Sequence, residues 1–149
     1  MTQRHWIQND RLMFVTTNTA KRHPVFLDPV MARIAVDTMY TTQQRYPFFL
    51  HAFVIMPDHC HFLLTPPEGG SVSRIIHVYK RGVSFEIGKG PIWQKRFDCR
   101  LIEQPSKVIR YIHGNPVAAG LCEHPHDYLW SSACGKWDVC SLDWAGGFV

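Results

Sequence analysis

Apolar residues along this chain switch between two spacings, and the switches mark the elements. Leu12 to Thr17 is a short apolar, β-branched run and predicts the first strand. Asp28-Pro29 pairs a capping acid with a proline suited to the first helical position. Val30, Met31, Ile34 and Ala35 then give a helical stripe to about Arg45. Phe48 to Met56 reads as a buried strand, Pro57-Asp58 as a turn, and His59 to Thr65 as the returning strand. After the Pro66-Pro67-Glu68-Gly69-Gly70 loop, Val72, Ile75, Ile76, Tyr79 and Val83 recur at helical spacing, which predicts a helix over 71–87 with Tyr79 in its buried stripe. Ile92 to Glu103 fits a strand. Ser106 can cap a last short helix, which Pro116 is expected to end. The tail from Val117 is irregular and carries Trp130, Trp137 and Trp144.

The order β-α-β-β-α-β-α, with a hairpin between two crossovers, predicts an α+β ferredoxin-like (RRM-like) sandwich, an antiparallel sheet with helices packed on one face. The 149 residues suffice for one domain spanning 1–149, and 46% hydrophobic with 19% charged residues is ordinary for a soluble globular protein. No apolar run reaches about 18 residues, so no membrane association is expected. Met1-Thr2-Gln3-Arg4-His5 lacks the apolar core of a signal peptide, which makes the expected location cytoplasmic. The five cysteines form no CxxC pair, and the expectation is reduced, mostly buried thiols.

The net charge of +4 hides a local imbalance. From Arg74 to Arg110 there are nine Lys or Arg residues against Glu86, Asp98 and Glu103, with Tyr79, Phe85, Trp93 and Phe97 interspersed. Cations neutralise phosphates and flat rings stack on unpaired bases, so nucleic acid is a plausible partner. A solvated basic face above core aromatics has the same composition.

Two groups carry candidate chemistry. In a strand, residues i and i+2 share a face, so His59 and His61 project together while Cys60, Phe62 and Leu64 face the core. Paired imidazoles on a rigid strand supply two ligands for a divalent cation, although two half-exposed histidines on a sheet face would show the same pattern. In the last helix, Val108, Ile109 and Ile112 form the buried stripe, and Tyr111 and Asn115, four apart, share its edge. On the residues alone, Tyr111 reads more readily as an amphipathic packing residue and Asn115 as a helix-ending residue before Pro116.

His59-Cys60-His61, preceded by Met56-Pro57-Asp58, resembles the HUH signature of single-tyrosine DNA transposases. Three downstream runs resemble one branch of them, the REP-associated tyrosine transposases: Ile92-Trp93-Gln94-Lys95-Arg96-Phe97, Tyr111-Ile112-His113-Gly114-Asn115-Pro116-Val117-Ala118-Ala119-Gly120, and Tyr128-Leu129-Trp130-Ser131-Ser132. The likeness runs from about Arg4 to Gly146. It implies metal-dependent cleavage and strand transfer of single-stranded DNA at hairpins. In that reading Tyr111 is the nucleophile, forming a 5′-phosphotyrosine intermediate, and His59, His61 and Asn115 hold Mg²⁺ or Mn²⁺. Hairpin DNA would be bound by basic residues chosen from the charged stretch: Arg74, Lys80, Arg81, Lys95, Arg96, Arg100, Lys107 and Arg110. The family includes monomers and helix-swapped dimers, so a homodimer stays open. Cys60 stands where relatives carry a larger apolar residue, and Gly114 loosens the helix beside Asn115 by about 1 kcal/mol relative to alanine.

Three other functions compete. A hairpin-binding module of the same fold would need no chemistry. A zinc hydrolase would need a third strong ligand and a carboxylate base, for which Asp58 is the nearest acid. An RNA-binding sheet would show an aromatic-glycine strand motif that this chain lacks.

Overall fold

The computed structural model describes residues 12–142. Its strands are β1 (Met13–Thr19), β2 (Phe49–Met56), β3 (His59–Thr65) and β4 (Trp93–Leu101). Its helices are α1 (Pro29–Arg45), α2 (Val72–Ile87) and α3 (Pro105–Ala118). The strands pair in the order β2-β3-β1-β4, and every neighbouring pair is antiparallel. This is the ferredoxin-like α+β sandwich expected from the element order. Trp144 and everything before Leu12 lie outside the described residues.

Local chemistry explains the helix starts. Asp28 accepts a hydrogen bond from the Val30 N–H at 2.9 Å, with Pro29 at the first position, as the sequence indicated. Ser71 caps α2 in the same way through the Arg74 N–H, and Gly88 closes it with φ 71°. Tyr79 is fully buried, donates its hydroxyl to the Ala35 carbonyl at 2.9 Å and so ties α2 to α1.

Helices α1 and α2 share one face of the sheet. There Val15, Phe53, Ile55, Cys60, Phe62 and Leu64 meet Ala35, Met39, Ile76, Tyr79 and Val83. The third helix departs from the one-face expectation. Ile112, Val108 and Ile109 pack on Ala52, Val54, Met56 and Leu63, which point to the opposite side. Both sheet faces are therefore covered over β2 and β3, and an amphipathic stripe in the sequence does not say which face it will cover.

Two boundaries differ from expectation. Pro105, rather than a cap at Ser106, opens α3, and Gln104 precedes it without a side-chain cap. Pro116 does not end the helix, which continues to Ala118. So near the C-terminus a proline removes only one helical hydrogen bond, and its buried ring adds to the packing.

The tail is irregular but ordered. The Ile55 N–H donates to the Trp130 carbonyl at 2.8 Å, the Cys140 N–H to the Leu50 carbonyl at 2.7 Å, and the Tyr128 hydroxyl to the Ile55 carbonyl at 2.7 Å. These bonds cover the free edge of β2, while the β4 edge is guarded by exposed Lys95, Arg96, Asp98 and Arg100. The cysteines are unbridged as expected, but only Cys60 is buried. The thin cover over β4 and the tail leaves the others at or near the surface.

Candidate active site

The alternation of β3 places His59 and His61 on the α3 side of the sheet. Register confirms it: Val54 and Met56 of β2 face His61 and His59, and Thr16 of β1 also faces His61. β3 is an inner strand, paired on both edges, so its side chains rest on a rigid base. The two imidazole centroids lie 4.7 Å apart at 74°.

Each ring is oriented through one nitrogen. His59 Nδ1 lies 2.7 Å from Asp58 Oδ1, and Arg22 Nε donates to Asp58 Oδ2 at 3.1 Å. Arg22 Nη2 lies 3.4 Å from the same His59 nitrogen, which cannot accept while it donates; the shorter Asp58 contact takes the proton. Partial burial would raise the Asp58 carboxyl, but the hydrogen bonds from His59 and Arg22 hold it below its ordinary value. Thr16 Oγ1 lies 2.9 Å from His61 Nδ1. In the tautomer that donates Nδ1–H to Thr16, His61 Nε2 keeps its lone pair.

That lone pair has no partner. Among the described residues, His61 Nε2 and Thr17 Oγ1 are the buried side-chain atoms without a hydrogen bond, and Thr17 lies on the other face, opposite Cys60. Burial, aided by nearby His59 and Arg22, pushes the His61 imidazole down to about 3, so it is neutral near pH 7. A buried imidazole nitrogen left unmatched costs about 1–3 kcal/mol, and binding a cation would remove that penalty.

Tyr111 completes the cluster from α3. Its ring centroid lies 5.5 Å from that of His61 and 6.1 Å from that of Phe14, edge-on to both, and the residue is 57% exposed. Tyr79 is locked in the core; Tyr111 faces solvent against the histidines, and all three groups come from one chain. Asn115 follows one turn later, half-buried, its amide unpartnered among the described residues. No three His, Cys, Asp or Glu side chains converge as metal ligands among the described residues. Any third protein ligand beside the histidines would therefore be of another kind, and an amide oxygen would suit the hard donor set that Mg²⁺ or Mn²⁺ prefers.

The basic residues do not form one patch. Arg74, Lys80, Arg81 and Lys95 line a groove of about 1370 Å³ between α2 and the start of β4, joined by Arg45. No acid lines it. Tyr46, Phe85 and Trp93 supply rings, with the Arg74 guanidinium 5.4 Å from the Tyr46 centroid and Lys80 6.0 Å from that of Trp93. Arg100 pairs in register with Phe14, hence on the histidine side, and is held by Asp98 at 3.0 Å. Lys107 and Arg110 stand exposed on α3, and Arg96 is exposed on β4.

The family model described as "Transposase IS200 like" matches residues 9–115. This chain belongs to that family. It is 31% identical over 142 residues to the REP-associated tyrosine transposase of Escherichia coli (strain K12), spanning 89% of this chain and 84% of that protein. A solved structure of a REP-associated tyrosine transposase bound to a REP hairpin superposes with a TM-score of 0.77 at 25% identity, covering 94% of this chain and 88% of that one. A crystal structure from Deinococcus radiodurans r1, 18% identical with a TM-score of 0.56 over 69% of this chain and 88% of that one, shares the fold.

Several residues of this IS200-like site escaped the sequence reading. Thr16 and Phe14 reach His61 from β1, Arg22 reaches Asp58 from the turn after β1, and His113 reaches Ser132 from α3. Strand alternation puts Phe14 and Thr16 on one face, but only the pairing of β1 with β3 shows that the face is shared with His61.

Proposed function

We propose that this transposase-family chain cuts and rejoins single-stranded DNA beside a hairpin, with Tyr111 as nucleophile and His59, His61 and Asn115 holding Mg²⁺ or Mn²⁺. The observation that carries this reading is Tyr111 lying against a His61 whose Nε2 is buried and unpartnered. A bound divalent cation would draw negative charge from a non-bridging phosphate oxygen and fix the phosphate for in-line attack. The chain supplies the rest. Tyr111 Oη attacks phosphorus as its proton leaves; a tyrosine O–P bond forms, the P–O3′ bond breaks, and the 3′-oxygen departs to become a hydroxyl. The phosphotyrosine link keeps the free energy of the broken bond, so an incoming 3′-hydroxyl reverses the step without ATP.

The basic groove holds the hairpin stem, the kind of DNA named for the solved relative, by phosphate contacts and stacking. Because the tyrosine and the histidines already meet within one chain, a homodimer is not required to complete the site. A DNA substrate suits a cytoplasmic location. Among the described residues no helix is long and apolar enough to cross a membrane. The zinc-hydrolase alternative loses its base, because both Asp58 oxygens are engaged by His59 and Arg22.

The test is a gel assay with Mn²⁺ and labelled hairpin DNA bearing a single-stranded flank. Wild-type protein should form a covalent adduct. Tyr111→Phe should form none while keeping hairpin affinity, since one exposed oxygen is lost. Adduct formation by Tyr111→Phe would overturn the nucleophile. A wild-type protein that binds the hairpin yet never forms an adduct would make the chain a binding module.

A further inference from the structure

The helix that carries Tyr111 is held to the sheet by Val108, Ile109 and Ile112. The hydrophobic effect is non-directional, so apolar contacts of this kind hold a helix against large rolls but fix its last few degrees less sharply than a hydrogen bond does. The sequence after Tyr111 stiffens α3 little, since Gly114 is a weak helix former and Pro116 removes a backbone donor. Yet a nucleophile must meet its phosphate within a few tenths of an ångström, and a misplacement of about 1 Å can cost about 100-fold in rate.

One directional contact opposes the roll. His113 Nε2 lies 2.8 Å from Ser132 Oγ, the only side-chain hydrogen bond that α3 makes among the described residues. Ser132 is 8% exposed and is itself fixed to β2: its Oγ accepts from the Phe53 N–H at 3.0 Å and donates to the Phe53 carbonyl at 3.3 Å. With His113 donating Nε2–H, that oxygen has one donated and two accepted bonds, its full complement. Ser132 belongs to the tail segment that Tyr128 and Trp130 bind along β2, and Val54 of β2 faces His61 across the ladder. At about 100° per residue, His113 lies some 200° around the helix from Tyr111, with buried Ile112 between them. The helix is thus held on both flanks, by Tyr111 on the histidine side and by His113 on the tail side.

We infer that His113 is a positioning residue: its bond to Ser132 fixes the roll of α3 and so sets Tyr111 against the His59–His61 pair. This rests on the proposed role of Tyr111. It also gives the irregular tail a task in the reaction, because Ser132 is the anchor.

The test compares His113→Leu, which fills similar space without a donor, with His113→Gln, which keeps one. Adduct formation is measured with saturating Mn²⁺ and hairpin DNA, alongside hairpin affinity. A second readout needs no activity: the ¹⁹F spectrum of protein carrying 3-fluorotyrosine, with the Tyr111 resonance assigned from Tyr111→Phe. His113→Leu should slow adduct formation about 10- to 100-fold, leave hairpin affinity unchanged and move the Tyr111 resonance. His113→Gln should restore both, and adding Ser132→Ala to His113→Leu should cost little more. A His113→Leu protein with an unmoved Tyr111 resonance, or with the wild-type adduct rate, overturns the inference. If wild-type protein forms no adduct but the resonance moves in His113→Leu, the positioning role stands and the cleavage reading falls.

Discussion

Replacing Thr16 by valine keeps the shape of the side chain and removes the oxygen 2.9 Å from His61 Nδ1. Two effects follow and can be measured apart. His61 is 5% exposed, so an Nδ1–H left facing a methyl group loses its partner without gaining water. An unsatisfied buried polar group costs about 1–3 kcal/mol; the half-buried surroundings of Thr16 place the expectation at about 1–2 kcal/mol of folding stability. The second effect, under the proposed function, would be on cation binding. Without its partner the ring no longer prefers the tautomer that points the Nε2 lone pair at the site, and losing such an outer partner costs about 10- to 100-fold in metal affinity, or about 1.4–2.8 kcal/mol. Calorimetric Mn²⁺ titration of wild type, Thr16→Val and Thr16→Ser gives the second number, and urea unfolding of the same metal-free proteins gives the first. Thr16→Ser keeps the oxygen and should track wild type. At saturating Mn²⁺ the Thr16→Val adduct rate should largely recover, because Tyr111 is untouched. Mn²⁺ binding by Thr16→Val as tight as by wild type would refute the claim that Thr16 orients a metal ligand.

Other consequences are as direct. A Cβ built at Gly114 meets nothing within 4 Å, so Gly114→Ala should raise stability in urea by about 0.5–1 kcal/mol, and any loss would mean the site is tighter than this. Burial pushes the imidazoles of His61 and His51 down, the former to about 3 and the latter against the opposing pull of the Cys140 carbonyl. Their unfolded forms titrate near 6.5, so from pH 6.5 downward the unfolded chain binds more protons and stability falls with acid. For His61 this is about 2 kcal/mol between pH 7 and 5, with His51 adding in the same direction, and equal urea midpoints of the metal-free protein at both pH values would contradict it. Arg81 and Lys95 are exposed in the groove and make no ion pair among the described residues. Replacing both by alanine should weaken hairpin binding and flatten the dependence of log K on log salt by about one unit for each phosphate no longer neutralised. An unchanged slope would remove the groove from the DNA path.

The parts of this molecule that sequence revealed are those governed by local rules. Asp28-Pro29 starts α1 because a carboxylate can reach the next turn, and the HxH run faces one way because strands alternate. Tyr79 and Tyr111 were told apart by position in their stripes, and the structure separates them as core and surface. What stayed hidden depends on partners distant in sequence. Thr16 and His61 are 45 residues apart, Arg22 and Asp58 are 36, and His113 meets a serine 19 residues later. Charge count was the weakest guide: it grouped eight basic residues by sequence, while the fold puts Arg74, Lys80, Arg81 and Lys95 in one groove and turns Arg100 to the other face.

That division of the basic residues follows from the topology and bears on how the site could work. In the order β2-β3-β1-β4, the histidines lie on an inner strand and the groove opens beside an edge strand. Helices α1 and α2 occupy one face, the histidines lie on the other, and α3 crosses to that second face and brings Tyr111 into contact with His61. A hairpin stem held in the groove would then send its single-stranded flank around the β4 edge, past Arg96 and Arg100, to reach Tyr111. Under the proposed function the chain would bind duplex and cut single strand on different surfaces, and the path between them would select a flank long enough to make the turn.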